Sequence, residues 1–295
     1  MQAYREATWR SADGLELYYR DYAAANPGGL PVVCLPGLTR NSRDFEALAG
    51  RLAARHRVLT PDLRGRGRSQ WDPKWTNYNP QIYVADVIAL LAAVALPRVV
   101  VIGTSLGGII AMGLALVAPQ RLAGVVLNDV GPEIDQRGID RIRGYTGKLP
   151  PVKSWADAAA QARAIYSIAM PEYTDAQWLA FCRQTYREGP DGVPVPDMDP
   201  RIGDAIRDGP AAPAAMWPAF TALKPIPTLA IRGATSDLLS AATFARMQEV
   251  KPDLIQVEVP GRGHAPALDE PAAERAIDAF LAALPHEERL HFNIR

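Results

Sequence analysis

The sequence predicts an α/β protein built on a largely parallel sheet, and three observations predict it. Short apolar runs such as LPVVCLPG (30–37), RVVVIGTS (98–105), LAGVVLNDVG (122–131) and PTLAIRG (227–233) are bounded by Gly, Pro or Asn, as buried strands are. Longer segments with helical spacing alternate with them, the pattern of parallel strands joined by crossover helices. The alternation breaks between residues 132 and 219, where no strand of the main sheet is visible, and it resumes at PTLAIRG.

Each element follows in order. LELYYRDYA (15–23) alternates and predicts an early antiparallel strand. LPVVCLPG is a continuous buried strand ending in Pro-Gly. NSRDFEALAGRLAA (41–54) then predicts a helix capped by Asn41 or Ser42. HRVLTPDL (56–63) is the next strand, followed by the glycine turn RGRGRS (64–69), and IYVADVIALLAAVAL (82–96) is a helix whose only charge is Asp86. LIQVEVPG (254–261) closes the set of strands. Within the break, SWADAAAQARAIYSIA and TDAQWLAFCRQTYRE have helical character, and GPDGVPVPDMDPR (189–201) has the composition of a loop. The expected organisation is a core of 1–131 and 220–295 with an inserted helical cap, 132–219.

Composition narrows the function. Lys plus Arg equals Asp plus Glu at 32 each, so no electrostatic argument favours nucleic acid or an anionic membrane. Two cysteines, Cys34 and Cys182, suit a reducing compartment and provide no disulfide framework. The charged start MQAYREATWRSADG does not read as a signal peptide, and no apolar run is long enough to span a membrane. The expectation is a soluble, cytoplasmic protein with a small-molecule substrate. The sequence leaves room for a homo-oligomer.

Gly103-Thr104-Ser105-Leu106-Gly107 fits G-x-S-x-G between a predicted strand and a predicted helix. Such an elbow presents a nucleophilic serine on strained backbone, with small neighbours so that other backbone can pass, and sets the Leu106 N–H at a helix start where negative charge is stabilised. A serine needs a base. Of four histidines, His264 lies just past the last predicted strand; His56 reads as structural, and His286 and His291 fall in a polar tail. For the orienting acid, Asp237 follows the penultimate strand and is preferred, with Asp129 after the preceding strand as the alternative. The Leu38 N–H, after LPVVCLPG, is the second candidate oxyanion donor. RGRGRS lacks the Lys-Ser/Thr ending of a phosphate loop, and the scattered histidines show no metal-ligand spacing. No cofactor is expected.

These pieces together resemble the α/β-hydrolase fold family over nearly the whole chain. LPGLTRNSRDF, PDLRGRGRS, GTSLGG, SDLL and GRGHAP occur in the family's order. The resemblance implies an eight-stranded, mostly parallel sheet, a Ser105–His264–Asp237 triad, an oxyanion hole from Leu38 and Leu106, and a lid after the sixth strand. Trp155, Met170, Trp178, Met216 and Trp217 are candidate pocket residues. The leading expectation is a carboxylesterase for a small-to-medium uncharged acyl ester or lactone. C–C hydrolysis of a β-diketone or ring-cleavage product, amide hydrolysis and perhydrolysis use the same triad, and a ligand-binding protein without turnover is the remaining alternative. Serine in place of aspartate argues against dehalogenase and epoxide hydrolase chemistry.

Overall fold

A computed structural model describes residues 4–208 and 215–285. Eight strands form one sheet: β1 (Arg5–Arg10), β2 (Glu16–Tyr22), β3 (Val32–Leu35), β4 (Val58–Pro61), β5 (Val99–Thr104), β6 (Leu122–Asn128), β9 (Thr228–Gly233) and β10 (Ile255–Val259), in the order β1-β2-β4-β3-β5-β6-β9-β10. Only β2 pairs antiparallel with both its neighbours; every other pairing is parallel. This is the α/β-hydrolase fold. The sequence reading gave no account of β1, because only Trp9 of REATWR is buried and the apolar signal is correspondingly weak.

Period-two alternation splits the strand residues between two layers. Val33, Leu35, Val99, Val101, Val125 and Leu127 pack against α2 (Pro80–Ala93) and α3 (Leu106–Val117) on one face. Val32, Cys34, Val100, Ile102 and Val126 pack against α1 (Glu46–Leu52) and α9 (Pro271–Ala283) on the other. With both faces covered, the central strands read as unbroken apolar runs. Burial raises the Cys34 thiol well above its ordinary range.

The predicted glycine turn has a clear physical cause. Asp62 anchors RGRGRS: one carboxylate oxygen accepts from the Ser42 N–H at 2.6 Å and the other from the Arg68 N–H at 2.9 Å. Gly67 takes a positive φ of 54°, and a Cβ there would collide with that carboxylate. The lone charge of α2 is accounted for as well. Asp86 receives two hydrogen bonds from the buried Arg64 guanidinium, at 2.7 and 2.6 Å. His56 is structural, with Nδ1 2.8 Å from the Leu30 carbonyl. His286 and His291 lie outside the described residues.

Between β6 and β9 the chain forms α4 (Gln136–Tyr145), α5 (Trp155–Tyr166), α6 (Asp175–Thr185), the hairpin β7 (Tyr186–Glu188) with β8 (Pro194–Pro196), α7 (Ile202–Arg207) and α8 (Trp217–Thr221). Ser154 caps α5, and Thr174 with Gln177 forms a capping box on α6. The stretch read as a loop by its Pro and Gly content thus holds β8, an edge position where proline is tolerated. None of these elements joins the main sheet. Among the described residues, no helix is long and apolar enough to cross a membrane.

Candidate active site

Chain order reverses between β3 and β5: β4 pairs on one side of β3 and β5 on the other. A parallel sheet opens a crevice at the carboxyl ends of its strands at such a switch point. Residues 36–39 leave β3 there, and Ser105 leaves β5. The turn is tight for a steric reason. A Cβ on Gly103 would run into the backbone of Gly107 and Gly108, and one on Gly107 into the Leu35 carbonyl. Ser105 takes φ 52° and ψ −112°, and its N–H is tied to the Asn128 carbonyl at 2.9 Å. The side chain is thereby held at the head of α3.

Ser105 Oγ lies 2.9 Å from His264 Nε2, and His264 Nδ1 lies 2.8 Å from Asp129 Oδ2. A carboxylate only accepts, so Nδ1 carries the proton and Nε2 accepts from the serine hydroxyl. Asp129 is fully buried and takes φ 55° at the end of β6. Its Oδ1 accepts from the Gly233 N–H at 2.7 Å, and its Oδ2 accepts from the Ser236 hydroxyl at 2.6 Å as well as from His264. Three donors therefore fix the position of the carboxylate. Asn128 Nδ2 donates to the Pro266 carbonyl at 2.9 Å, fastening the end of β6 to the histidine loop.

The preferred candidate acid, Asp237, does not reach the imidazole in this geometry. Asp237 turns away and forms a two-bond ion pair with Arg141 of α4, at 2.5 and 2.9 Å. Burial pushes its carboxyl up, but Arg141 outweighs burial and holds it below the ordinary carboxylate range. The structure brings the alternative, Asp129, to His264. The adjacent Ser236, in the same SDLL segment, touches Asp129. Sequence reasoning missed Ser236, since a loop serine three residues after a glycine has no periodic signal.

Leu106 is the first residue of α3, where N–H groups have no intrahelical acceptor. Among the described residues no backbone carbonyl takes the Leu38 N–H. A cavity of about 130 Å³ opens over Ser105 and His264, with Leu38 and Thr39 in its floor and Tyr145, Tyr166, Met170 and Phe181 in its wall. Arg40 also faces it, but its guanidinium is matched by Asp44 at 2.7 and 2.6 Å and lies 4.0 Å over the Phe181 ring. Burial pushes the Tyr173 hydroxyl, also in this wall, up to about 12, so it stays protonated at neutral pH.

Of the candidate pocket residues, Met170 lines this cavity and the others do not. Trp178 is buried between Tyr173 and Phe181, with ring centroids at 5.2 and 5.7 Å. Trp155 packs on the same cluster beneath Arg183. Met216 and Trp217 pack on the sheet layer, where Trp217 Nε1 donates to Glu133 at 2.6 Å. Large apolar side chains at helical spacing went to helix packing, and the cavity took tyrosines with polar tips. Among the described residues, no cluster of three or more His, Cys, Asp or Glu side chains could hold a metal ion.

Comparison with known proteins agrees with this architecture. The model of the alpha/beta hydrolase family matches residues 32–278. A 3-hydroxybutyrate-oligomer hydrolase of Cupriavidus necator is 36% identical over 256 residues, 84% of this chain and 86% of the relative. A 2-hydroxy-6-oxo-2,4-heptadienoate hydrolase of Pseudomonas putida is 29% identical over 60% of this chain and 63% of the relative. The crystal structure of an alpha/beta hydrolase from Novosphingobium aromaticivorans superposes with a TM-score of 0.89 at 43% identity, covering 96% of this chain and 99% of that one.

Proposed function

Because this chain belongs to the alpha/beta hydrolase family, we propose that it is a serine ester hydrolase with Ser105 as nucleophile, His264 as base and Asp129 as orienting acid. The observation that carries this reading is the unbroken hydrogen-bonded line from Ser105 Oγ through the imidazole to the buried Asp129 carboxylate. Ser105 Oγ attacks the ester carbonyl as its proton passes to His264 Nε2. The resulting oxyanion accepts from the Leu38 and Leu106 N–H groups. The C–O bond to the leaving alkoxide then breaks, and the imidazolium returns its proton to that oxygen. Water enters, gives a proton to His264 and attacks the acyl-enzyme, releasing the carboxylic acid and restoring Ser105.

The segment 132–219 acts as the cap, closing the cavity with Tyr145, Tyr166 and Phe181. Since Asp44 matches the Arg40 charge, the space beside Ser105 suits an uncharged acyl group. The Cupriavidus relative, named for its action on 3-hydroxybutyrate oligomers, supports an aliphatic ester of a hydroxy acid as the substrate class. A fluorophosphonate probe tests the chemistry directly: it is expected to label Ser105 alone, as read by peptide mass spectrometry, with p-nitrophenyl acetate and butyrate turned over by the unlabelled enzyme. Labelling at another serine overturns the assignment. Turnover of a β-diketone with no ester hydrolysed would instead assign the chain to C–C hydrolysis with the same triad.

Ser236 gives a second test. Ser236→Ala removes one of three donors to Asp129, and a hydrogen bond to a charged group supports roughly a tenfold fall in kcat with KM little changed. An unchanged kcat would mean that Ser236 merely shapes its own loop.

A further inference from the structure

A second cavity, of about 260 Å³, lies beside the first and is the larger of the two. Thr39, Tyr145 and Tyr166 line both. The two rings meet edge to face with centroids 5.6 Å apart, and the hydroxyls of Thr39 and Tyr166 are 3.5 Å apart. The partition is thus made of side chains, and a chain lying across it passes beside hydroxyl donors. Burial holds the Tyr145 hydroxyl protonated well beyond neutral pH.

Beyond the partition the walls are mainly apolar, including Trp71, Leu149, Val195 and Met198. Among the described residues lining it, Arg187 is the only charged one. Its guanidinium is half exposed and only loosely paired: its Nε stands 3.7 Å from Asp197 Oδ1, while Arg43 holds the other oxygen of that carboxylate at 2.6 Å. Two cations therefore share one buried anion. A guanidinium at the edge of an apolar chamber with donors to spare is suited to a ligand carboxylate.

We propose that this second chamber is a binding site for the leaving-group end of the substrate, an aliphatic segment that ends in a carboxylate held by Arg187. The inference rests on the ester-hydrolase reading and deepens it. In a linear oligoester of a hydroxy acid, the hydroxyl end belongs to the acyl side of the broken bond and the free carboxylate to the alcohol side. A short acyl unit then sits beside Ser105, and the alcohol side crosses the Thr39–Tyr145–Tyr166 partition. This substrate carries a charge at its far end, which departs from the uncharged ester that the sequence led us to expect.

The test compares three substrates: p-nitrophenyl acetate, a linear 3-hydroxybutyrate trimer as free acid, and the methyl ester of that trimer. The intact enzyme is expected to prefer the free acid over its methyl ester. Arg187→Gln should lower kcat/KM for the free acid about tenfold, mainly through KM, and change the methyl ester by less than about twofold. Leu149→Trp, which fills the chamber from its wall, should lower both trimers relative to the acetate. If neither variant changes the trimer-to-acetate ratio while the acetate is still hydrolysed, the chamber assignment is wrong and the esterase reading stands. If the wild type hydrolyses none of the three, the esterase reading itself fails.

Discussion

Asp129→Asn is expected to lower kcat for p-nitrophenyl acetate about ten-thousand-fold, by analogy with the loss of the orienting carboxylate in other serine triads. The reason is local. An amide at position 129 cannot stabilise the imidazolium, and its NH₂ would compete to donate to His264 Nδ1, favouring the tautomer with Nε2 protonated. That nitrogen could no longer accept from Ser105. Asp237→Asn, in contrast, breaks only the ion pair with Arg141 and should change kcat by less than about threefold, with some stability lost because Arg141 is partly buried. Assayed side by side, the two variants decide the acid. A larger loss in Asp237→Asn would mean that the Arg141 pair opens during turnover and that Asp237 reaches the histidine.

Ser105→Ala should abolish ester turnover, with a fall of roughly a million-fold if the nucleophile, base and acid act as one unit. Combining it with Asp129→Asn should then add almost nothing, because each removes the same pathway. Additive losses would show that the two residues act in separate steps. The fold should survive the change to alanine, since the Ser105 N–H, not its side chain, holds the turn to Asn128. Circular dichroism and a urea midpoint close to wild type would confirm that lost activity is lost chemistry.

Much of this was legible in the residues before any coordinates. Strands buried on both faces need unbroken apolar runs, so β3, β5, β6 and β9 announced themselves, whereas β1 at the sheet edge buries one residue and did not. The elbow was legible because its constraints are steric and contiguous: Gly103 and Gly107 are small where the backbone of α3 and β3 passes. His264 was legible by elimination, being the one histidine that follows a predicted strand.

The acid was not. β6 and β9 are neighbours, with Asn128 opposite Ile231, so the loops carrying Asp129 and Asp237 leave the same edge of the sheet within reach of the same imidazole. Sequence order puts a carboxylate in each loop and is silent on which way either side chain turns. That is decided by partners distant in sequence: Arg141 draws Asp237 toward α4, while Gly233 and Ser236 hold Asp129 under His264. The cavity divides the same way. Helical spacing marks Trp178 and Tyr166 alike as apolar-face residues, but only packing shows that one is buried inside the helical segment and the other stands between two chambers. Local steric and hydrophobic rules act over a few residues, so the sequence by itself determined the strands, the elbow and the place of His264 after the last strand. Which aspartate meets His264 and which side chains line the cavities depend on contacts about a hundred residues apart, and those exist only once the chain has folded.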